Sequence, residues 1–93
     1  MITNYEDYCI ICNRPKEHTH HCVFGVSKRK LADVDGLTMP LCQVHHEMMH
    51  RGDIQTLSKI IGQLFYERNK CAQGMTPDEA REAFRKRYSE SYL

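Results

Sequence analysis

The chain has no long apolar run and almost no net charge, and both absences limit what it can do. None of its 93 residues belongs to a segment approaching the roughly 18 consecutive apolar residues that a membrane span needs. Its start, Met1-Ile2-Thr3-Asn4, has no basic stretch followed by an apolar one, so we expect neither a secretory leader nor a membrane anchor. A net charge of +1 gives little overall attraction to nucleic acid, so any contact with DNA must depend on a local basic patch.

Histidine is absent after position 50, because all six histidines lie between positions 18 and 50. The five cysteines are an odd number, and two of them form a Cys-x-x-Cys pair, which favours metal binding over disulfides in a reducing cytoplasm. One small domain of 93 residues has a limited apolar core, and a bound metal ion would add to its stability. We therefore expect a cytoplasmic, metal-binding single domain over residues 1–93.

Turn formers and apolar residues in the first half predict alternating short strands and a helix, and hence a small α+β fold. The second strand contains Pro40, which confines it to a sheet edge. In chain order we expect a tight knuckle over 9–15, a strand over 18–24, a polar and basic connection over 27–38, a strand over 37–41, and a helix from near Val44 that carries His46 and His50 and stops at Arg51-Gly52.

The sequence pattern over residues 53–93 predicts two helices. Asp53 can cap the first of them, and Gly74 ends it. Thr76 and Pro77 are a strong start signal for the second. The apolar residues of the first helix recur at helical spacing, which favours a core face over a partner groove: Ile54, Leu57, Ile60, Ile61, Leu64 and Phe65. In the last helix, Ala80, Phe84 and Tyr88 share one face.

Two ligand pairs indicate a closed zinc site. Cys9 and Cys12 are separated by two residues, and so are Cys42 and His45, which is the spacing of paired ligands in a tetrahedral Cys3His site. A two-Cys two-His finger that uses His46 and His50 instead is disfavoured, because its loop would far exceed the roughly 12 residues of that module. We therefore predict that Cys9, Cys12, Cys42 and His45 bind a structural Zn²⁺ ion.

The remaining histidines indicate a second, open metal site. His46 and His50 are one helical turn apart and can bind one ion, while His45 is rotated by about 100° and can serve the zinc. His20 and His21, on a candidate strand, offer a further ligand. The alternative is that His46 and His50 are exposed residues or lie around the zinc ligands. His18 is most simply an exposed residue, although the edge of this site is the other possibility.

These residues resemble the HNH endonucleases of the ββα-metal fold. The His-His pair and the His-x3-His-Arg-Gly ending are similar to colicin-type DNases, and the cysteine pairs are similar to zinc-bearing HNH proteins common in phages. The core of the resemblance covers about residues 9–52. The matching segments are Cys9-x2-Cys12, His20-His21, Gly36-Leu37, Leu41-Cys42-x2-His45-His46 and His50-Arg51-Gly52, with weaker matches in the tail at Gln63, Phe65, Glu67, Arg81, Phe84 and Tyr92-Leu93.

The resemblance implies a ββα-metal core with a structural zinc knuckle over 9–52, followed by a helical extension over 53–93. It implies a metal-dependent DNA endonuclease, serving phage DNA processing or recombination in a bacterial host cell. His21 would be the general base, and His20, His46 and His50 would bind the catalytic ion. An imidazole with an ordinary pKa near 6.5 can accept a proton at working pH.

One departure from the family concerns asparagine. The family's middle asparagine is absent, and Asp33 or Asp35 is a possible replacement. If nothing replaces it, the second function class is a catalytically inactive, zinc-stabilised module that binds DNA or protein. The intact histidines favour the nuclease.

The donor types also predict the metal and the DNA contacts. Three imidazoles suit Mn²⁺, Ni²⁺ or Zn²⁺ better than Mg²⁺, which prefers oxygen ligands. The basic residues Lys28, Arg29, Lys30 and Arg51 are candidates for contacts with DNA phosphates, although a solvated charged loop is the ordinary interpretation of the first three. Cys22 and Cys71 lack spaced partners, and we expect buried thiols there.

Overall fold

The computed structural model describes residues 1–52 and 54–93. The predicted cap at Asp53 therefore lies outside the described residues. The architecture is small α+β, as expected, with a two-stranded sheet and four helices in the described ranges. The elements are β1 (His18–His21), α1 (Lys28–Asp35), β2 (Thr38–Leu41), α2 (Gln43–Met48), α3 (Ile54–Ala72) and α4 (Pro77–Tyr88). None of the described helices is both long and apolar enough to cross a membrane.

The two strands form an antiparallel ladder in which His18 pairs with Leu41 and His21 with Thr38. Both strands were predicted, but β1 ends at His21, three residues earlier than the expected end at Phe24. The chain leaves the ladder after one more backbone contact, in which the Cys22 N–H donates to the Leu37 carbonyl at 2.9 Å. Each strand of a two-stranded sheet is an edge strand, which is consistent with proline within β2.

The prediction of a polar connection over residues 27–38 was wrong, because α1 occupies most of it. Its sequence is polar, but Ala32 is fully buried and Leu31 packs against the core. Gly36 ends the helix in the left-handed conformation, with φ of 71°, which glycine adopts without strain. Tertiary packing of a narrow apolar face therefore forms a helix that the composition alone did not indicate.

The two C-terminal helices were predicted, but the buried face of α3 differs from its apolar stripe. Within the stripe, Leu57 and Leu64 remain 50% and 51% exposed, whereas the other members are half-buried. The buried residues of α3 are Ser58, Gly62, Gln63 and Tyr66. The face of α3 that meets the rest of the molecule thus combines small and polar residues with Ile54, Ile61 and Phe65, which pack against the core.

The last helix matches its prediction closely. Thr76 and Glu79 form a reciprocal capping box at its start, with Pro77 as the first helical residue. Its predicted apolar face is buried: Ala80, Phe84 and Tyr88. Of the two cysteines that lack a partner at ligand spacing, Cys22 is buried as expected, whereas Cys71 is only half-buried.

Gly62 allows α3 to lie directly against the chain that follows β1. A β-carbon at position 62 would sit 2.8 Å from the Cys22 β-carbon and 3.1 Å from Cγ2 of Val23. The first distance is well inside van der Waals contact, so a larger residue requires α3 or the Cys22 backbone to move. This close approach fixes the position of α3 relative to β1.

We expect Gly62→Ala to lower the free energy of unfolding by about 1–2 kcal/mol, because overpacking outweighs the gain of ~1 kcal/mol in helix propensity. Urea unfolding measures the change. Thr56→Ala, at an exposed position of the same helix, is the control for propensity and should not destabilise the protein. A stabilised Gly62→Ala protein would contradict the close approach.

Candidate metal centres

The first cluster joins the knuckle to the start of α2. The knuckle is closed by backbone bonds from the Cys9 N–H to the Arg14 carbonyl and from the Asn13 N–H to the Cys9 carbonyl, at 2.7 and 2.9 Å. Cys42 is the N-cap residue of α2, and His45 lies in its first turn. The metal-ligating atoms of Cys9, Cys12, Cys42 and His45 all lie within 4.8 Å of one another.

The spacing of these atoms fits a tetrahedral ion. The Cys42 Sγ and Cys9 Sγ atoms lie 3.3 and 3.6 Å from His45 Nδ1, and the Cys12 and Cys42 sulfurs are 3.8 Å apart. Zinc bonds of about 2.0–2.3 Å give a tetrahedron with edges of roughly 3.3–3.8 Å. The four residues are therefore close enough to hold a metal ion, and their donors and spacing are compatible with structural zinc.

The ionisation of the sulfurs is consistent with a cation site. Burial opposes ionisation of Cys9, but the backbone N–H groups of Cys12, Cys42 and Ile11, with His45, outweigh it and lower its pKa to about 6. The Arg14 N–H favours the Cys12 thiolate, yet burial and the neighbouring sulfurs outweigh it and raise the Cys12 pKa. A divalent cation would relieve this repulsion between sulfurs, since it binds thiolates.

The second cluster contains three imidazoles from three parts of the chain. His20 comes from β1, His46 from α2 and His50 from the turn that follows α2. The helix was predicted to include His50 but ends at Met48, and the His50 N–H then donates to the Glu47 carbonyl at 3.1 Å. The ligating nitrogens of the three histidines lie within 4.8 Å of one another, and the Nε2 atoms of His46 and His50 are 3.2 Å apart.

Burial keeps these imidazoles neutral. His20 is 1% exposed, and burial, followed by the charges of His50 and His46, lowers its pKa to about 3. Burial also lowers the pKa values of His46 and His50, and the Arg29 guanidinium lowers both further. A metal ion binds the neutral imidazole, so all three side chains have the protonation state that a ligand needs.

His21 lies beside this cluster although the strand pleat sends it to the other face of β1. Its side chain is 25% exposed, and its Nε2 atom donates to Oδ1 of Asp33, in α1, at 2.7 Å. Because β1 ends at His21, both His20 and His21 line one pocket of about 210 Å³. Asp35 points elsewhere: its Oδ2 atom accepts hydrogen bonds from Arg87 Nε and the Tyr88 hydroxyl, each at 2.6 Å.

The four predicted DNA-contacting residues lie in different environments. Arg29 lines the histidine pocket. Lys28 donates to the Tyr92 hydroxyl at 3.2 Å, Lys30 is exposed, and Arg51 pairs with Glu47 at 3.6 Å. Arg29 is thus the only one of the four that lines this pocket.

Several further side chains surround the histidine cluster, and of these the sequence pointed only to His18, with the edge of the site as one of two alternatives. The Phe24 ring lies 4.8 Å from the His50 ring, and Lys59 Nζ lies 4.9 Å from the Phe24 ring centroid. His18 stacks on His46 at 4.3 Å and therefore lies at the edge of the cluster. Ser58 contacts His20 directly. Two of these neighbours reach the site from α3, and no local sequence signal marks them.

No family model matches the chain, and no curated protein or solved structure matches it either. Function must therefore be inferred from the two ligand clusters and the groups around them.

We expect Cys42→Ser to remove one zinc ion per chain and to lower the melting temperature strongly, because metal-binding energy at a structural site contributes to folding. Elemental analysis after gel filtration, together with thermal melting, measures both effects. Cys71→Ser is the matched control, since Cys71 lies outside the cluster, and it should keep its zinc. Purified protein that folds without any zinc would contradict the assignment.

Proposed function

We propose that this protein is a metal-dependent DNA endonuclease of the HNH type that hydrolyses phosphodiester bonds. In this proposal β1, β2 and α2 form a ββα-metal core, and a structural zinc ion at the Cys3His cluster stabilises it. The observation that carries the proposal is the pocket shared by three neutral imidazoles, His21 and Arg29. The resemblance of these motifs to HNH nucleases extends the proposal to phage DNA processing or recombination.

The histidine cluster is the proposed catalytic metal site. The His46 and His50 Nε2 atoms, 3.2 Å apart, have the separation of roughly 2.9–3.4 Å expected for two nitrogens about 2.0–2.1 Å from one ion. Three imidazoles suit Mn²⁺, Ni²⁺ or Zn²⁺ better than Mg²⁺. Such an ion, when bound, would screen the phosphate charge and stabilise the leaving oxygen.

His21 is the proposed general base. A carboxylate only accepts hydrogen bonds, so the contact with Asp33 Oδ1 places the proton of a neutral His21 on Nε2. The basic nitrogen is then Nδ1, and it would take a proton from the water that attacks phosphorus. Asp33 thereby orients the base, and we propose that it takes the place of the asparagine that the family has and this chain lacks.

Arg29 is the proposed phosphate-binding residue. It lies on the wall of the pocket, and a guanidinium can form two parallel hydrogen bonds with phosphate oxygens. Lys28, Lys30 and Arg51 would contact the DNA backbone further from the scissile bond. Contacts of this kind are independent of base sequence, and the net charge of +1 makes weak, salt-sensitive binding the expectation.

We expect His21→Ala to reduce plasmid cleavage by roughly 10²-fold or more, because proton transfer by a positioned base contributes about that much. The assay uses zinc-loaded protein with Mn²⁺, Ni²⁺ or Mg²⁺, and Mg²⁺ should support cleavage least. Zinc content should stay unchanged, and added imidazole should restore part of the activity. Unchanged cleavage by the variant would mean that the base is misassigned or that the activity comes from a contaminant, and a contaminant would favour the inactive, zinc-stabilised binding module.

The two aspartates of α1 should separate catalysis from stability. We expect Asp33→Ala to lower kcat by roughly 10-fold or more through loss of base orientation, with little effect on folding because its side chain is 63% exposed. Asp35→Ala, the matched variant, should lower the free energy of unfolding by about 1–3 kcal/mol, because the buried Tyr88 hydroxyl loses its acceptor. Cleavage assays and urea unfolding of both variants test this. The reverse pattern would contradict the assignment of Asp33.

A further inference from the structure

We infer that Ser58, in α3, is a positioning residue that holds the His20 imidazole in the tautomer able to bind a metal ion through Nδ1. The inference rests on the proposed catalytic metal site and adds to it a group from the C-terminal helices. Its basis is a buried chain of two hydrogen bonds. Ser58 Oγ lies 2.8 Å from His20 Nε2 and 2.9 Å from the carbonyl oxygen of Cys22.

The direction of both hydrogen bonds follows from counting protons. A serine hydroxyl has one proton, and a backbone carbonyl can only accept. Ser58 therefore donates its proton to the Cys22 carbonyl and accepts a hydrogen bond from His20 Nε2. Both side chains are buried, at 0% and 1% exposure, so water does not offer an alternative partner.

The consequence concerns the other ring nitrogen of His20. In a neutral imidazole only one nitrogen carries a proton, and with the proton on Nε2 the lone pair on Nδ1 is free. Nδ1 is then the atom of His20 that can ligate an ion together with His46 and His50, whose ring centroids lie 5.4 and 4.9 Å from that of His20. Ligating histidines commonly have their second nitrogen fixed by such an outer hydrogen bond.

The close packing of α3 makes this contact possible. Ser58 and Gly62 are four residues apart and lie on the same face of the helix. Gly62 brings that face so near to Cys22 that an added β-carbon would lie 2.8 Å from the Cys22 β-carbon. Cys22 is itself held by its backbone bond to Leu37. The backbone of α3 and that of Cys22 thus fix the position of the Ser58 hydroxyl beside His20.

The tautomer can be measured directly by long-range ¹H–¹⁵N NMR of histidine side chains, with zinc retained and the histidine cluster free of metal. We expect His20 in the unmodified protein to be protonated at Nε2 and unprotonated at Nδ1. In Ser58→Ala the hydrogen-bond acceptor is lost, so we expect the His20 signals to change. A His20 ring protonated at Nδ1 in the unmodified protein would overturn the inference.

Binding of Ni²⁺ to the zinc-loaded full chain, measured by calorimetry, provides a second test. Removal of an outer partner of a ligand commonly weakens metal binding by about 10- to 100-fold, and we expect a loss in this range for Ser58→Ala. Thr56→Ala removes a hydroxyl from an exposed position of the same helix and should bind Ni²⁺ as the unmodified protein does.

The possible failures are distinguishable. If Ser58→Ala binds Ni²⁺ with unchanged affinity, the role of Ser58 is overturned while the proposed nuclease site stands. If the unmodified protein binds no Ni²⁺, or if His46→Ala binds it equally well, the catalytic metal site is overturned, and the proposed function and the inference fall together.

Discussion

The antiparallel pairing of β1 with β2 is the constraint on which both ligand clusters depend. The ladder pairs His18 with Leu41, and β2 continues directly into Cys42, the N-cap of α2. The position of α2 relative to the histidines of β1 is therefore set by strand register. A slip of one residue would exchange the two faces of β1, so that His20 would turn outward and His21 would take the buried position.

The short helix α2 then divides the donors between two sites. Consecutive helical residues differ in direction by about 100°, which sends His45 to the sulfurs and His46 to the other imidazoles. The two environments differ in the way each favours cation binding. Backbone N–H groups stabilise the Cys9 thiolate in the first cluster, whereas burial keeps His20 neutral in the second. Cys9 in the first cluster and His20 in the second thus have the protonation state that a metal ligand of their type needs.

Helices α1 and α3 complete the surroundings of the histidine pocket. In α1, Asp33 contacts His21 while Asp35 contacts α4, so neighbouring carboxylates of one short helix serve different purposes. In α3, Gly62 and Ser58 bring a hydroxyl to His20. Of the two C-terminal helices, α3 therefore contacts a residue of the pocket, whereas α4 contributes to the core.

The sequence by itself determined the features that depend on local spacing. Turns and helices bring residues at fixed sequence separations close together. This accounts for the paired ligands Cys9-x2-Cys12 and Cys42-x2-His45, the proximity of His46 to His50 and the capping box at Thr76. The general α+β class was also predictable, because strand and helix periodicities differ.

Only the tertiary structure decided which groups surround the ligands. Contacts between residues distant in sequence make Asp33, rather than Asp35, the partner of His21. They also place Arg29, rather than Lys28, in the pocket and Ser58 beside His20. For the same reason α1 was mispredicted as a connection, and the small and polar residues buried on α3 were not anticipated beside its apolar stripe. Their stability comes from packing against other elements, and hydrophobic periodicity within one segment does not record such contacts.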